Sequence, residues 1–294
     1  MAINPMLPHT WEMEKTIFIS DLDGTLLNSN ETVSEYSADI ISSFIEQGFL
    51  FTYVTARAYS YSRNATSKIN FNIPVATYNG AIVINPRDNA VLDFCLIEKM
   101  TIKNIAEILY QSSICPMIYS FSEGKEILSC MKFQAIKNNK ILDSVISRNN
   151  EIKFREVFSI EELLDGDVFY IALTGSKKDI LYINSLFKNI NGLSSYVQED
   201  VSEKGLYWFE AFSKKVSKKK AAEKLKVYTK TDKIICFGDN INDISMFKIA
   251  DYSVAMGNAY QKLKQIACDV TTLTNDQDGV AKWLLSNVRN FHSE

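Results

Sequence analysis

The chain has 294 residues, 46% of them hydrophobic, which suits one large domain or two ordinary ones and excludes a disordered composition. A formal net charge of -3 provides no overall basic field for nucleic acid or an anionic membrane. The 5 scattered cysteines form no CxxC pair and suit a reducing cytosol, and the 2 histidines, His9 and His292, exclude a Ser-His-Asp or Cys-His engine.

The first dozen residues show neither periodicity nor the regions of a signal peptide; they read as a leader, with Met13 a candidate start. An apolar run, Ile17–Ser20, predicts a strand that stops at Asp21-Leu22-Asp23-Gly24-Thr25. Thr32-Val33-Ser34-Glu35 reads as a capping box. It opens a helix with Val33, Tyr36, Ile40, Ile41, Phe44 and Ile45 on one face, and Gly48 stops it. Phe49–Val54 predicts a second strand, ending at Thr55-Ala56-Arg57, followed by a helix from Tyr59 to Ile69. Pro74–Thr77 predicts a third strand, ending at Tyr78-Asn79-Gly80.

From Asn85 to Phe212 the texture changes. Aromatic residues accumulate, acidic strand ends are missing, and helical stretches (Ile102–Tyr110, Asp179–Phe187) mix with β-like ones (Val168–Leu173, Leu206–Ala211). The first rhythm then returns, with helices at Lys218–Leu225, Asp243–Ile249, Asn258–Ile266 and Gly279–Asn287, and strands at Ile234–Phe237, Tyr252–Met256 and Val270–Thr272. Apolar strands alternating with helices predict an α/β fold, a Rossmann-like parallel-sheet core covered on both faces. The expected organisation is a core from residues 13–84 and 213–294 with an inserted α+β cap at 85–212. No apolar run reaches the ~20 residues of a membrane helix.

Four carboxylates fall where buried strands stop. Asp21 and Asp23 are two apart, so one carboxylate can attack phosphorus while the other handles protons. Gly24 lets the chain turn close to a ligand. Asp239 and Asp243 stand four apart in Gly238-Asp239-Asn240-Ile241-Asn242-Asp243, hard oxygen ligands of the kind Mg2+ takes; the same residues could simply cap the helix that starts there. The run Lys218-Lys219-Lys220 reads as a solvated basic face at its second and third members. Arg57 fits a phosphate-steering role and a surface ion pair equally well.

Asp-Leu-Asp-Gly-Thr-Leu-Leu (21–27) and Gly-Asp-Asn-Ile-Asn-Asp (238–243) resemble the first and last motifs of the haloacid dehalogenase superfamily. The insertion resembles the α/β cap of its Cof-type branch. Thr55 in Tyr53-Val54-Thr55-Ala56-Arg57 and Lys218 in Val216-Ser217-Lys218 are similar to the second and third motifs. Ala56 departs from the usual Gly, and Lys219 stands where Gly often follows, so Lys214, Lys215, Lys219 and Lys220 compete with Lys218 for the third motif. Asn79-Gly80-Ala81, Met256-Gly257-Asn258-Ala259 and Asp278-Gly279-Val280 also match habits of that branch.

The resemblance implies a Mg2+-dependent phosphoric monoester hydrolase with Asp21 as nucleophile and metal ligand and Asp23 as general acid and base. The Asp23 backbone carbonyl, Asp239 and Asp243 complete the metal set, Asp243 directly or through water. Thr55, Lys218, Gly24, Ala56 and Asn242 would hold the phosphoryl group. The implied partner is a small phosphorylated metabolite, a sugar phosphate, with neither nucleic acid nor membrane; the chain is expected in the cytoplasm as a monomer or weak homodimer. A phosphomutase or phosphotransferase on the same core, and a non-catalytic phosphate-binding regulator, are the alternatives.

Overall fold

The computed structural model describes residues 15–112, 116–122, 125–131, 152–200 and 203–288. The expected leader before Met13, His9, His292 and Cys115 lie outside them. In chain order the strands are β1 (Thr16–Ser20), β2 (Leu50–Tyr53), β3 (Val75–Thr77), β4 (Ile82–Asn85), β5 (Ala90–Phe94), β6 (Met117–Ser122), β7 (Lys125–Met131), β8 (Lys153–Val157), β9 (Asp167–Ser176), β10 (Leu193–Glu199), β11 (Leu206–Ser213), β12 (Lys233–Gly238), β13 (Tyr252–Ala255) and β14 (Asp269–Val270). The helices are α1 (Glu35–Glu46), α2 (Tyr59–Ala65), α3 (Lys99–Ser112), α4 (Ile160–Leu163), α5 (Lys177–Phe187), α6 (Lys218–Thr229), α7 (Ile244–Phe247), α8 (Gln261–Lys264) and α9 (Gly279–Asn287). The described residues fall into two compact units, those within Met1–Asp93 and Ser217–Glu294, and those within Phe94–Val216. β4 and β5 are neighbours in one sheet, and the cut expected after residue 84 falls inside β4; residues 85–93 stay with the first unit, and residues 213–216, expected in the core, belong to the second.

The first unit is built on a five-stranded sheet in the order β14-β13-β12-β1-β2, with every described pairing parallel. β1 is completely buried at Ile17, Phe18 and Ile19, as its unbroken apolar run requires of a central parallel strand. Phe18 packs edge-on against Phe44 of α1 at 4.9 Å between ring centroids, and Phe44 stacks on Phe49 at 4.0 Å. Each such ring contributes about 1.5–3 kcal/mol through burial. The strand order reverses at β1: the chain leaves it for β2 on one side, while β12 and β13 extend the sheet on the other. Such a switch point places a crevice beyond the carboxyl ends of the two central strands, where Asp21 and Asp239 begin their loops.

The second unit carries a six-stranded sheet in the order β10-β11-β9-β6-β7-β8, antiparallel except where β7 meets β8. Ile105 and Leu109 of α3 and Ile180 and Phe187 of α5 pack with Ile118, Ile171 and Phe209 of this sheet. On the other face Tyr119 lies opposite Tyr170 and Tyr170 opposite Phe212, with Tyr170 and Phe212 stacked at 5.6 Å.

Several element boundaries differ from the expected ones. The N-cap of α1 is Ser34, whose hydroxyl accepts from Ser37 N–H at 3.0 Å; the carbonyl of Thr32 instead accepts from Asn28 N–H at 3.0 Å and closes a turn. Tyr36 is 42% exposed rather than part of the buried face. α2 ends before Thr66, whose hydroxyl donates back to the Ser62 carbonyl at 2.8 Å. The helix expected over 243–249 is a single turn, because Asp251 exchanges two hydrogen bonds with Ile234 that draw the chain into β13. The one expected over 258–266 shrinks to Gln261–Lys264. Here the Asn258 amide donates to the Gly24 carbonyl at 2.7 Å, and Tyr260 N–H donates to the Asp239 carbonyl at 2.7 Å, holding 258–260 as a loop.

Candidate active site

Asp21 is the first residue beyond β1. Its N–H donates to the Phe237 carbonyl at 3.0 Å, joining it to the end of β12. Its Oδ1 accepts from Leu22 N–H at 2.7 Å, so the carboxylate caps its own turn. The chain then turns through Gly24, whose φ of +67° an L side chain rarely adopts. A Cβ there would also overlap the Asp239 carboxylate. Gly24→Ala is therefore expected to cost about 1–2 kcal/mol from the backbone alone and to displace Asp239, read as a lower urea midpoint together with weaker metal binding.

Lys218 opens α6, with Ser217 as N-cap. Ala221, Ala222 and Leu225 lie three, four and seven residues on, and all are buried with it. This phase turns Lys218 inward, at 1% exposure, and leaves Lys219 and Lys220 exposed. Lys214 and Lys215 reach Asn191 and Glu98, and Lys219 reaches Glu223. The Lys218 ammonium instead lies 2.7 Å from Asp21 Oδ1 and 2.7 Å from Asp243 Oδ1. Burial opposes its charge, but the two carboxylates outweigh burial and raise its pKa.

Asp243 is completely buried, and its two oxygens have separate tasks. Oδ1 faces Lys218, while Oδ2 accepts from the N–H groups of Asp239 at 3.0 Å and Asn240 at 2.9 Å. The helix-capping possibility is thus realised by Asp243, at the same time as its contact with the lysine. Gly238 leaves room for it, since a Cβ there would stand 2.7 Å from the Asp243 carboxyl carbon. Asp239 accepts from Thr25 Oγ1 at 3.1 Å.

Asp21, Asp239 and Asp243 each offer an oxygen within 4.8 Å of the others. The cluster thus holds three carboxylates, and its one ammonium pairs with two of them, Asp21 and Asp243. Burial pushes the Asp21 carboxyl up to about 7, with Asp243 adding to the effect and Lys218 opposing it. Burial likewise pushes Asp239 well above the carboxylate range, with Asp21 and Asp243 adding to it. A divalent cation held by hard oxygens supplies the missing charge, so the donor set fits Mg2+.

Thr55 follows β2, and the neighbouring Val54 N–H donates to the Ser20 carbonyl at 2.9 Å, placing it at the strand end beside Asp21. Thr55 is fully buried; its Oγ1 accepts from Arg57 N–H at 3.2 Å, and Ala56 between them is partly exposed. The Asn242 amide donates to Asn79 Oδ1 at 3.3 Å. Asn79 is a further residue of the site, and its only sequence signal is the Asn79-Gly80-Ala81 string at the end of a strand; its φ is 56°. Asn79 Nδ2 and Asn242 Oδ1 are buried without a hydrogen-bond partner among the described residues.

Asp23 departs from Asp21. Its carboxylate turns to Arg57, which grips it through Nε at 2.7 Å from Oδ2 and through Nη2 on Oδ1. Arg57 is thus an ion-pair residue, buried rather than on the surface, with an 8% exposed side chain.

A model of haloacid dehalogenase-like hydrolases matches residues 18–284. The chain belongs to this family, in its Cof-type branch, and is a hydrolase. It is 25% identical over 276 residues to 5-amino-6-(5-phospho-D-ribitylamino)uracil phosphatase YitU of Bacillus subtilis, covering 93% of this chain and 97% of that protein. It is 27% identical over 277 residues to phosphatase YwpJ of the same organism, covering 89% and 95%. Its fold superposes with a TM-score of 0.71 on a solved subclass IIB sugar phosphatase at 19% identity, covering 92% of this chain and 98% of the other. Among the described residues no helix is long and apolar enough to cross a membrane.

Proposed function

We propose that this hydrolase is a Mg2+-dependent phosphomonoesterase that acts through an aspartyl-phosphate on a small phosphorylated polyhydroxy metabolite, a sugar phosphate or a phosphorylated sugar alcohol. The observation that carries the proposal is the grouping of the Asp21, Asp239 and Asp243 carboxylates within 4.8 Å of one another, with the Lys218 ammonium 2.7 Å from Asp21 and from Asp243. The class of substrate follows the named activities of the relatives, which include a phosphoribitylamino compound and a sugar phosphate.

Asp21 and Asp239, with the Asp23 backbone carbonyl, would hold Mg2+, and Asp243 would brace the loop and orient its water. Bound there, Mg2+ screens an anionic nucleophile from an anionic substrate. Lys218, Thr55, Asn242 and the backbone at Gly24 and Ala56 hold phosphoryl oxygens as charge spreads during transfer. One Asp21 oxygen forms a bond to phosphorus as the bond from phosphorus to the leaving oxygen breaks. The leaving oxygen keeps the electron pair and takes a proton from Asp23. A water oxygen then attacks phosphorus and gives its proton to Asp23, and the Asp21–phosphorus bond breaks to restore the carboxylate.

Phosphate release from a panel of phosphorylated sugars and sugar alcohols tests this reading. Release in Mg2+ that stops with EDTA is expected, and release unaffected by chelation contradicts it. The metal also acts on stability. Ion binding requires the Asp21 and Asp239 carboxylates deprotonated, and burial raises both pKa values. Protons therefore compete with metal below about pH 7, and the rise in melting temperature on adding Mg2+ should be larger at about pH 8 than at about pH 5.5.

A further inference from the structure

Asp23 and Arg57 form an unequal pair. The Asp23 side chain is 35% exposed and that of Arg57 only 8%, so one member is open and the other fixed. Several contacts fix the arginine. Its N–H donates to Thr55 Oγ1 at 3.2 Å, which ties it to the end of β2. Its guanidinium lies 4.1 Å from the centre of the Tyr61 ring. Glu31 lies 3.9 Å from Nη2 and also receives the Tyr61 hydroxyl. Burial opposes the charge of Arg57, but Asp23 outweighs it and raises the arginine pKa. From this base, Nε and Nη2 hold both oxygens of Asp23.

A planar two-point fork fixes the plane of a carboxylate as well as its place, which the point charge of an ammonium cannot do. The turn that carries Asp23 does little to orient it. Backbone angles at Asp23 (φ -66°, ψ 128°) and Gly24 leave the helical range there.

We propose that Arg57, seated on Tyr61 and Glu31, is a positioning residue that aims the Asp23 carboxyl group at the leaving oxygen of the substrate. The proposal rests on the phosphatase reading above and adds to it. Arg57 itself takes no part in bond making. In the first half-reaction Asp23, which has taken up a proton from solvent while Nε and Nη2 still donate to its oxygens, gives that proton to the leaving oxygen as the bond from Asp21 to phosphorus forms and the bond from phosphorus to the leaving oxygen breaks. The effect of Arg57 therefore scales with how much the leaving group needs that proton. An alkoxide needs it, whereas p-nitrophenolate leaves without it.

The test is the single-turnover rate of alcohol release for Arg57→Gln and Arg57→Lys. The probes are p-nitrophenyl phosphate and the alkyl phosphate that the parent enzyme turns over fastest. With Arg57→Gln the alkyl phosphate rate should fall about a hundredfold further than the p-nitrophenyl phosphate rate, within the range of a general acid. Arg57→Lys keeps a cation in place, protects the fold, and should recover only part of this loss. In an Asp23→Asn background, Arg57→Gln should add nothing further. Equal losses on both probes, or a loss that persists in the Asp23→Asn background, would overturn the proposal and assign Arg57 to phosphate binding through Nη1, which is buried without a partner among the described residues. A parent enzyme that hydrolyses neither probe would refute the phosphatase reading itself.

Discussion

Asp21→Asn should abolish phosphate release, by on the order of 10⁴-fold or more, because the amide cannot attack phosphorus. The same substitution should not unfold the protein. Asparagine matches the carboxylate in shape and can still accept from Leu22 N–H, and Lys218 keeps Asp243 as a partner. In the metal-free protein it should even stabilise the fold at neutral and higher pH. The folded pKa of Asp21 is raised to about 7 from an ordinary 3.8. The folded state then binds more protons than the unfolded state between those values, and stability falls as pH rises through that window. The asparagine variant lacks this loss. Its urea midpoint in EDTA should exceed that of the parent at about pH 8, with the gap closing toward about pH 4.

Lys218→Met has the second large effect, in the opposite direction for stability. Lys218 is 1% exposed and is held at 2.7 Å by each of two carboxylates. Methionine fills the space of the stem but leaves Asp21 and Asp243 buried without their cation. Breaking such a buried ionic group by removing one partner costs about 3–5 kcal/mol. Urea unfolding in EDTA should show this loss, and added Mg2+ should restore part of it, since the ion takes over some of the compensation. Phosphate release should remain lost in Mg2+. Lys219→Met, by contrast, changes an exposed side chain and should leave the urea midpoint nearly unchanged.

The strand ends were legible because an apolar run that stops at Asp21 or Asp239 has few structural readings. Lys218 was legible only in part: it follows Val216-Ser217 and opens a helix, but its neighbours stayed rivals until the buried phase of Ala221, Ala222 and Leu225 singled it out. Asn79 was harder, since an Asn-Gly after a strand reads first as a turn. The link between Asp23 and Arg57 could not be read. It depends on two loops, 34 positions apart, meeting because β1 and β2 are neighbours in the sheet. The short helices failed for the same kind of reason. The sequence at 258–266 favours a helix locally, yet Asn258 is engaged by Gly24 more than two hundred residues away. In the second unit the order β10-β11-β9-β6-β7-β8 brings together strands from distant parts of the chain, and local periodicity carries no information about such an order.

The most direct test of the covalent mechanism is to quench the enzyme with acid during its first turnover in Mg2+ and map phosphorylation by peptide mass. With p-nitrophenyl phosphate, whose leaving group needs no proton, an Asp23→Asn variant is slowed only in the second half-reaction and should accumulate the intermediate that the parent shows briefly. A phosphoryl group on the peptide carrying Asp21, absent in Asp21→Asn and in EDTA, is the predicted result. Turnover by the Asp23→Asn variant with no phosphoryl group at Asp21, or with one on a different residue, would contradict it.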